Sequence, residues 1–100
     1  MDERELDALR DAVIGRAHPD TIILFSQKRG LDGRLSSVKL CVVADCESPR
    51  RLERELYLQV ESDLPYDVLC YRPSEWECLC RDGDSFAARI RRSGRVLYEK

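Results

Sequence analysis

Two nearly unbroken apolar runs, separated by a short polar segment, constrain the fold more than any other feature of the chain. The first is TIILF at 21–25, and the second lies within 37–44, around VKLCVV. Short apolar runs of this kind are typical of strands that are covered on both faces of a sheet. Gly30, Asp32 and Gly33 predict a loop between the two runs. The chain is therefore expected to place two neighbouring strands at the centre of a layered structure.

Alternation along the strands predicts which residues share a face, because successive side chains of a strand point to opposite sides. In YDVLCY at 66–71, which follows Pro65, the residues Asp67, Leu69 and Tyr71 are expected on one face. In the second strand, one side is expected to carry Val38, Leu40 and Val42, and the other Ser37, Lys39, Cys41 and Val43.

Four segments have the marks of helices. Residues 2–17 repeat apolar side chains at helical spacing between charges. Ser48 followed by proline predicts a capped helix that runs to about Ser62. The sequence at 74–77, SEWE, fits a capping box at the start of a third helix. Ser85 is expected to cap a fourth helix, which glycine 94 ends.

The order of these elements predicts an α/β (α+β) sandwich over residues 1–100, with one small mixed β-sheet flanked by about four helices. The tail RVLYEK at 95–100 is expected to be a short strand or an extended end. Trp76 is expected to pack on the sheet. Cys41 and Cys70 lie on predicted strands and are expected to behave as small buried apolar residues.

Composition limits the partners and the compartment. The formal net charge is only −2 although 36% of the residues are charged, so no overall basic field exists to attract DNA or RNA. No apolar run approaches the roughly 20 residues of a membrane-spanning helix. The charged N-terminal residues lack an apolar signal region, and the five cysteines are an odd number. These features predict a cytoplasmic protein with reduced thiols.

Several short segments, taken in order, resemble the minimal nucleotidyltransferases, small relatives of the DNA polymerase β-type transferases. The family pattern is a strand ending in Leu-Phe, then Gly-Ser-x-Ala-Arg-Gly, then Ser-Asp-x-Asp-Leu, and a third aspartate on a later strand. The matching segments here are LF at 24–25, RG at 29–30, SSVKL at 36–40, Asp67, PSEWE at 73–77 and SGRVLYE at 93–99. The resemblance covers most of the chain and implies a nucleotidyltransferase-like fold.

The resemblance also implies where the family's catalytic groups would lie, and two of them are replaced. Ser37 and Lys39 stand where the family has the paired aspartates, while Asp67 matches the third. Two magnesium ions need a set of carboxylates, and an ammonium repels a divalent cation. The chain is therefore expected to have no metal site and no cofactor. Mg²⁺ and ATP are expected as cofactors only if the protein is a nucleotidyltransferase with altered metal use.

The segment that replaces the glycine motif is the candidate site for a nucleotide or a phosphate. It is predicted to be a basic turn formed by Ser26, Gln27, Lys28, Arg29 and Gly30. The family's glycine is missing from it, and the turn is one residue shorter. Together with Arg34, its basic residues either bind a phosphate or an acidic partner, or form a solvated loop. Lys39 is expected either to pair with Asp67 in the cleft or to extend into solvent.

Three functions follow from these expectations. The first is a catalytically inactive binding or regulatory module with a protein partner, in the manner of antitoxins that pair with small helical HEPN-type ribonucleases. The second is a nucleotidyltransferase with altered metal use, which moves a nucleoside monophosphate from a nucleotide to a hydroxyl of a protein or small molecule. The third is a sensor that binds a nucleotide or phosphate, even weakly, without turnover. Tyr57 and Leu58 either widen an apolar face or mark an interface.

Overall fold

The computed structural model describes residues 2–100, and within them four helices flank one four-stranded mixed sheet. The strand order is β3-β2-β1-β4, with β1 antiparallel to both of its neighbours and β2 parallel to β3. This confirms the predicted α/β class. The elements are α1 Asp2–Ala17, β1 Thr21–Arg29, β2 Leu35–Val43, α2 Pro49–Gln59, β3 Tyr66–Tyr71, α3 Pro73–Cys80, α4 Phe86–Ser93 and β4 Arg95–Glu99.

Both faces of the sheet are buried, as the apolar runs predict. On the first face, α1 and α2 contribute Leu6, Leu9, Val13 and Leu56 to a core that includes Leu40. On the second face, α3 and α4 pack against alternate residues of the same central strands. The buried residues of this second cluster are Ile23, Cys41, Val43, Trp76, Ala87 and Ile90. Trp76 and both strand cysteines are buried, which confirms those predictions.

Helix α2 begins as predicted and ends earlier than predicted. The hydroxyl of Ser48 accepts a hydrogen bond from the Arg51 N–H at 3.3 Å. The expected end at Ser62 is wrong, because Val60 already has an extended backbone (φ −97°, ψ 112°). Ser62 instead forms a local turn, in which its hydroxyl accepts a hydrogen bond from the Leu64 N–H at 3.0 Å. Side-chain bonding of this kind competes with helix continuation.

The predicted capping box at 74–77 is also wrong. Helix α3 begins at Pro73, so Ser74 lies inside its first turn, and the N-cap residue Arg72 makes no side-chain cap. Proline has the backbone angle of a first helical residue and lacks an N–H that would need a partner. The Arg72 guanidinium instead donates to the main-chain oxygens of Cys46 and Glu47.

Helix α4 begins and ends as predicted. Ser85 caps it by accepting a hydrogen bond from the Ala88 N–H at 3.0 Å. Gly94 follows it because the chain there leaves no room for a side chain. A Cβ at this position would lie 2.3 Å from Ile23 Cγ2 and 2.6 Å from the Ile90 carbonyl oxygen. The tail that follows is a strand, β4.

Among residues 2–100, no helix has both the length and the apolar character that a membrane crossing requires.

Candidate functional site

The predicted basic turn at 26–30 is not a turn, because β1 continues through it to Arg29. Residues Ser26, Gln27 and Lys28 pair with Lys39, Val38 and Ser37 of β2, respectively. An irregularity at Phe25 shifts the register by one residue before this second half of the hairpin. Cross-strand pairing with β2, which is not visible in the local polar sequence, extends the strand by four residues.

The actual turn spans residues 30–34, and its own side chains hold it. The N–H of Gly30 donates to the Arg34 oxygen at 2.8 Å, and Gly33 adopts a positive φ of 82°. Asp32 accepts from the Arg34 N–H at 3.0 Å, and the Arg29 guanidinium donates to the Gly33 oxygen at 2.8 Å. The predicted basic patch of residues 28, 29 and 34 is therefore divided: the two arginines border the turn, while Lys28 lies on the strand.

The hairpin places four polar residues on one face of the sheet. Residues directly opposite each other in an antiparallel pair share a face, so Ser26 lies beside Lys39 and Lys28 beside Ser37. The same face carries Cys41, which lies under α3 and α4. The second face thus has a covered half and a polar half. We call the polar set, Ser26, Lys28, Ser37 and Lys39, the open half.

The two lysines of the open half form no ion pair with a carboxylate within residues 2–100. Lys28 and Lys39 are exposed, and neither is among the ion pairs, which join charged atoms within 4.0 Å. The two lysines are diagonal neighbours, whose side chains start about 7–8 Å apart. Ser26 and Ser37 are half-buried between them. Two mobile ammonium groups and two hydroxyls can therefore converge on one anion.

Asp67 lies in register with Lys39 on the neighbouring strand, as expected, but the described residues show no ion pair between them. Its carboxylate accepts a hydrogen bond from the Tyr57 phenol at 3.3 Å instead. The same phenol oxygen accepts from the Val68 N–H at 2.9 Å. Tyr57 therefore holds Asp67 toward the outer edge of β3, on the side opposite β2.

Tyr57 and Glu53 of α2 close that outer edge. The Cys70 N–H donates to the Glu53 carboxylate at 2.9 Å, so the outward N–H groups of residues 68 and 70 both have side-chain acceptors. The Tyr57 ring stacks on Tyr66 with centroids 5.6 Å apart. Burial, the largest cause, raises the pKa of Tyr57 above its usual value. Sequence reasoning missed this role of Tyr57, since nothing local pairs it with β3.

The side chains at the positions of the family's three aspartates do not fit a two-magnesium site. Ser37 and Lys39 supply a hydroxyl and an ammonium where carboxylates would be needed, and Asp67 is held by Tyr57. Across residues 2–100, no three or more histidine, cysteine, aspartate or glutamate side chains are grouped to hold a metal ion. The five cysteines are free, and burial raises the pKa of Cys41 to about 12.

A cleft of about 320 Å³ lies beside the open half, at the edge of β1 where β4 begins. It brings together Ser26, Gln27 and Arg29 of the predicted site with Arg95, the first residue of β4. Gly30 does not line it. The full lining is Leu24, Phe25, Ser26, Gln27, Arg29, Ser93 and Arg95. Arg95 also pairs with Glu3 at 3.2 Å.

Comparison of the chain with models of protein families, with curated proteins and with solved structures found no match.

Proposed function

We propose that the chain is a non-catalytic, nucleotidyltransferase-like binding domain that holds a phosphate group on the open half without a divalent metal. One observation carries the proposal: two lysines, neither of them ion-paired within residues 2–100, and two hydroxyls alternate on the same face of the β1–β2 hairpin. Lysine is a common phosphate ligand that acts as a point charge. Serine hydroxyls add hydrogen bonds to phosphate oxygens.

The substitution at position 39 explains why this binding needs no metal. In the family that the chain resembles, a divalent cation neutralises the nucleotide phosphates. Here the Lys39 ammonium supplies positive charge directly, and Lys28 supplies a second charge nearby. Because the chain's net charge is −2, the attraction is local, so added salt weakens it.

The same residues argue against nucleotidyl transfer. Transfer through two metals requires ions that clamp the attacking and leaving oxygens in line. One aspartate that is turned toward the outer edge of β3 does not provide this arrangement. A phosphate that binds the open half is therefore retained without turnover. Changing Asp67 to Asn should leave binding intact, whereas residual transfer activity lost in that variant would support the enzyme alternative.

A protein partner of the antitoxin kind remains a second candidate, favoured by an exposed leucine on α2. Leu58 is 77% exposed, whereas its neighbour Tyr57 contacts the edge of β3. We also propose that the protein is cytoplasmic. Changing Leu58 to Asp should abolish partner binding by this route and leave phosphate binding unchanged.

Calorimetric titration of the whole chain with ATP, with and without magnesium, tests the proposed function. We expect binding without magnesium that changing both Lys28 and Lys39 to Ala weakens by about tenfold or more. Changing Lys100 to Ala is the matched control, because it removes the third lysine, which pairs with Asp20 at 3.8 Å. Tripolyphosphate in place of ATP shows whether the phosphates suffice. Binding that requires magnesium, or no binding at all, would contradict the proposal.

A further inference from the structure

The outer edge of β1 has main-chain groups whose direction follows from the pairing of the sheet. The Val38 N–H donates to the Pro65 oxygen on the β3 side of β2. Main-chain groups of successive strand residues point in opposite directions within the sheet. The main-chain groups of Ser37 and Lys39, on either side of Val38, therefore point toward β1.

Ser37 pairs with Lys28, and Lys39 pairs with Ser26. The main-chain groups of Lys28 and Ser26 therefore point toward β2. Gln27 lies between them, and its N–H and C=O consequently point out of the other edge of β1. Strand β4 does not reach this point, because its pairing with β1 stops where Arg95 lies opposite Leu24. Within residues 2–100, no strand pairs with Gln27 on that side.

The outer edge of β3 is blocked by side chains, whereas the outer edge of β1 at Gln27 is open. The outward N–H groups of Val68 and Cys70 on β3 are occupied by acceptors from α2. No such acceptor from the described residues meets the outward N–H of Gln27. An exposed strand edge is a template for pairing with another extended segment, and folded proteins commonly block it.

The cleft described above continues the line of β4 along this open edge. Its lining includes two arginines, Arg29 and Arg95, and no carboxylate. Phe25 forms part of its wall and contacts the half-exposed Phe86 edge-on, with ring centroids 5.7 Å apart. Both arginines have partners within the chain: Arg29 donates to the Gly33 oxygen and Arg95 pairs with Glu3. The Arg95–Glu3 pair is exposed and so offsets the charge only weakly. The surroundings favour a negatively charged segment over a neutral or basic one.

We propose that the outer edge of β1 at Gln27 binds an extended acidic segment of a partner protein, which adds to the sheet next to β1 in line with β4. The main-chain groups of Gln27 supply the pairing, and Arg29 and Arg95 select glutamate or aspartate side chains. A second copy of this chain is a poorer occupant, because it would bring another Lys28 and Arg29 to an already basic edge.

A short blocked peptide of alternating glutamate and valine, labelled with a fluorophore, is the probe. We expect the full chain to bind it, and to bind the matching peptide of alternating lysine and valine at least about tenfold more weakly. Changing Gln27 to Pro removes the outward N–H and leaves the hydrogen bonds to β2, which its neighbours make, so it should abolish binding. Changing Gln27 to Ala keeps the main chain and should leave binding unchanged.

Circular dichroism confirms that the Gln27→Pro variant is folded, and hydrogen exchange of the unaltered chain provides a measurement independent of that variant. The peptide should slow exchange of the Gln27 amide. The proposal is overturned if that amide exchanges at the same rate with and without peptide, if both peptides bind equally, or if binding survives in the proline variant. A concentration-dependent dimer that the proline variant abolishes would overturn the acidic partner as occupant. The Lys28 and Lys39 side chains are intact in these variants, so phosphate binding is tested separately.

Discussion

The covered and open halves of the second sheet face are built from the same two strands, but one half is packed core and the other is a polar surface. In the covered half, Ile23 and Cys41 lie under Trp76 and Ile90. Beyond the irregularity at Phe25, the same face carries two serines and two lysines instead. Burial in the first half stabilises the sheet, and its absence in the second leaves a polar surface on a rigid support. One part of the β1–β2 hairpin therefore stabilises the fold, and a different part of the same hairpin forms the proposed site.

The largest expected effect is the loss of a core side chain in the covered half. Changing Ile90 to Ala should lower the free energy of unfolding by about 2–5 kcal/mol, because it removes buried methyl groups and leaves a cavity. Urea denaturation measures this change. Leu58→Ala, at an exposed position, is the control and should change it by less than about 0.5 kcal/mol. Similar losses in both variants would mean that α4 does not pack as described.

A smaller loss is expected from overfilling the junction between α4 and β4. Changing Gly94 to Ala should cost about 1–3 kcal/mol, because its Cβ would meet Ile23 and the Ile90 main chain. The matched control is Gly15 in α1, which has nothing within 4 Å of an added Cβ. There the same change should stabilise the protein by about 0.5–1 kcal/mol, as alanine favours a helix. Thermal unfolding of the two variants should shift in opposite directions.

Alkaline pH should weaken the covered half through Cys41. Burial raises the pKa of this thiol from 9.0 to about 12, and burial also raises that of Cys70. The contribution of a buried thiol to the free energy of unfolding is fully present below about pH 9, its pKa in the unfolded chain. Above that pH the contribution falls, because the unfolded state releases a proton that the folded state keeps. Each such thiol lowers the free energy of unfolding by about 1.4 kcal/mol per pH unit between its two pKa values.

Urea denaturation at pH 8 and pH 10 measures the alkaline effect, and changing Cys41 to Ala should reduce the pH dependence. At neutral pH, iodoacetamide should modify the exposed Cys78 and spare Cys41. Rapid modification of Cys41 in the folded chain would show that α3 and α4 do not cover it.

The smallest effect on stability should come from the open half. Changing Lys28 and Lys39 to Ala together should alter the free energy of unfolding by less than about 0.5 kcal/mol per site, since both are exposed and lack ion-pair partners in residues 2–100. The same double variant should bind phosphate about tenfold or more weakly. A large loss of stability would show that the lysines support the fold rather than a ligand.

Local sequence signals predicted the elements that local physics determines. The apolar runs identified the central strands, and Ser48 and Ser85 identified two helix starts by their hydroxyl caps. The extension of β1 through SQKR was not predicted, because it depends on pairing with β2 rather than on the segment's own polar sequence. The predicted phosphate-binding residues are near one another, but they divide between the open half, the cleft and the turn.

The fate of Asp67 was beyond sequence reasoning for a similar reason. Alternation placed Asp67 on one face with Leu69 and Tyr71, and the resemblance implied that it lies beside Lys39, with which it is in register. The Tyr57 phenol that holds it comes from a helix ten residues earlier, and only the packing of α2 against the edge of β3 brings the two groups together. The resemblance to nucleotidyltransferases remains a proposal, resting on short segments and their order.

The most direct test of the account is an NMR titration of the isotopically labelled chain with ATP in the absence of magnesium. The account predicts that the largest amide shift changes cluster at Ser26, Lys28, Ser37 and Lys39, while those of the covered half, such as Cys41 and Ile90, move little. Shift changes centred elsewhere, or shifts that appear only after magnesium is added, would contradict it.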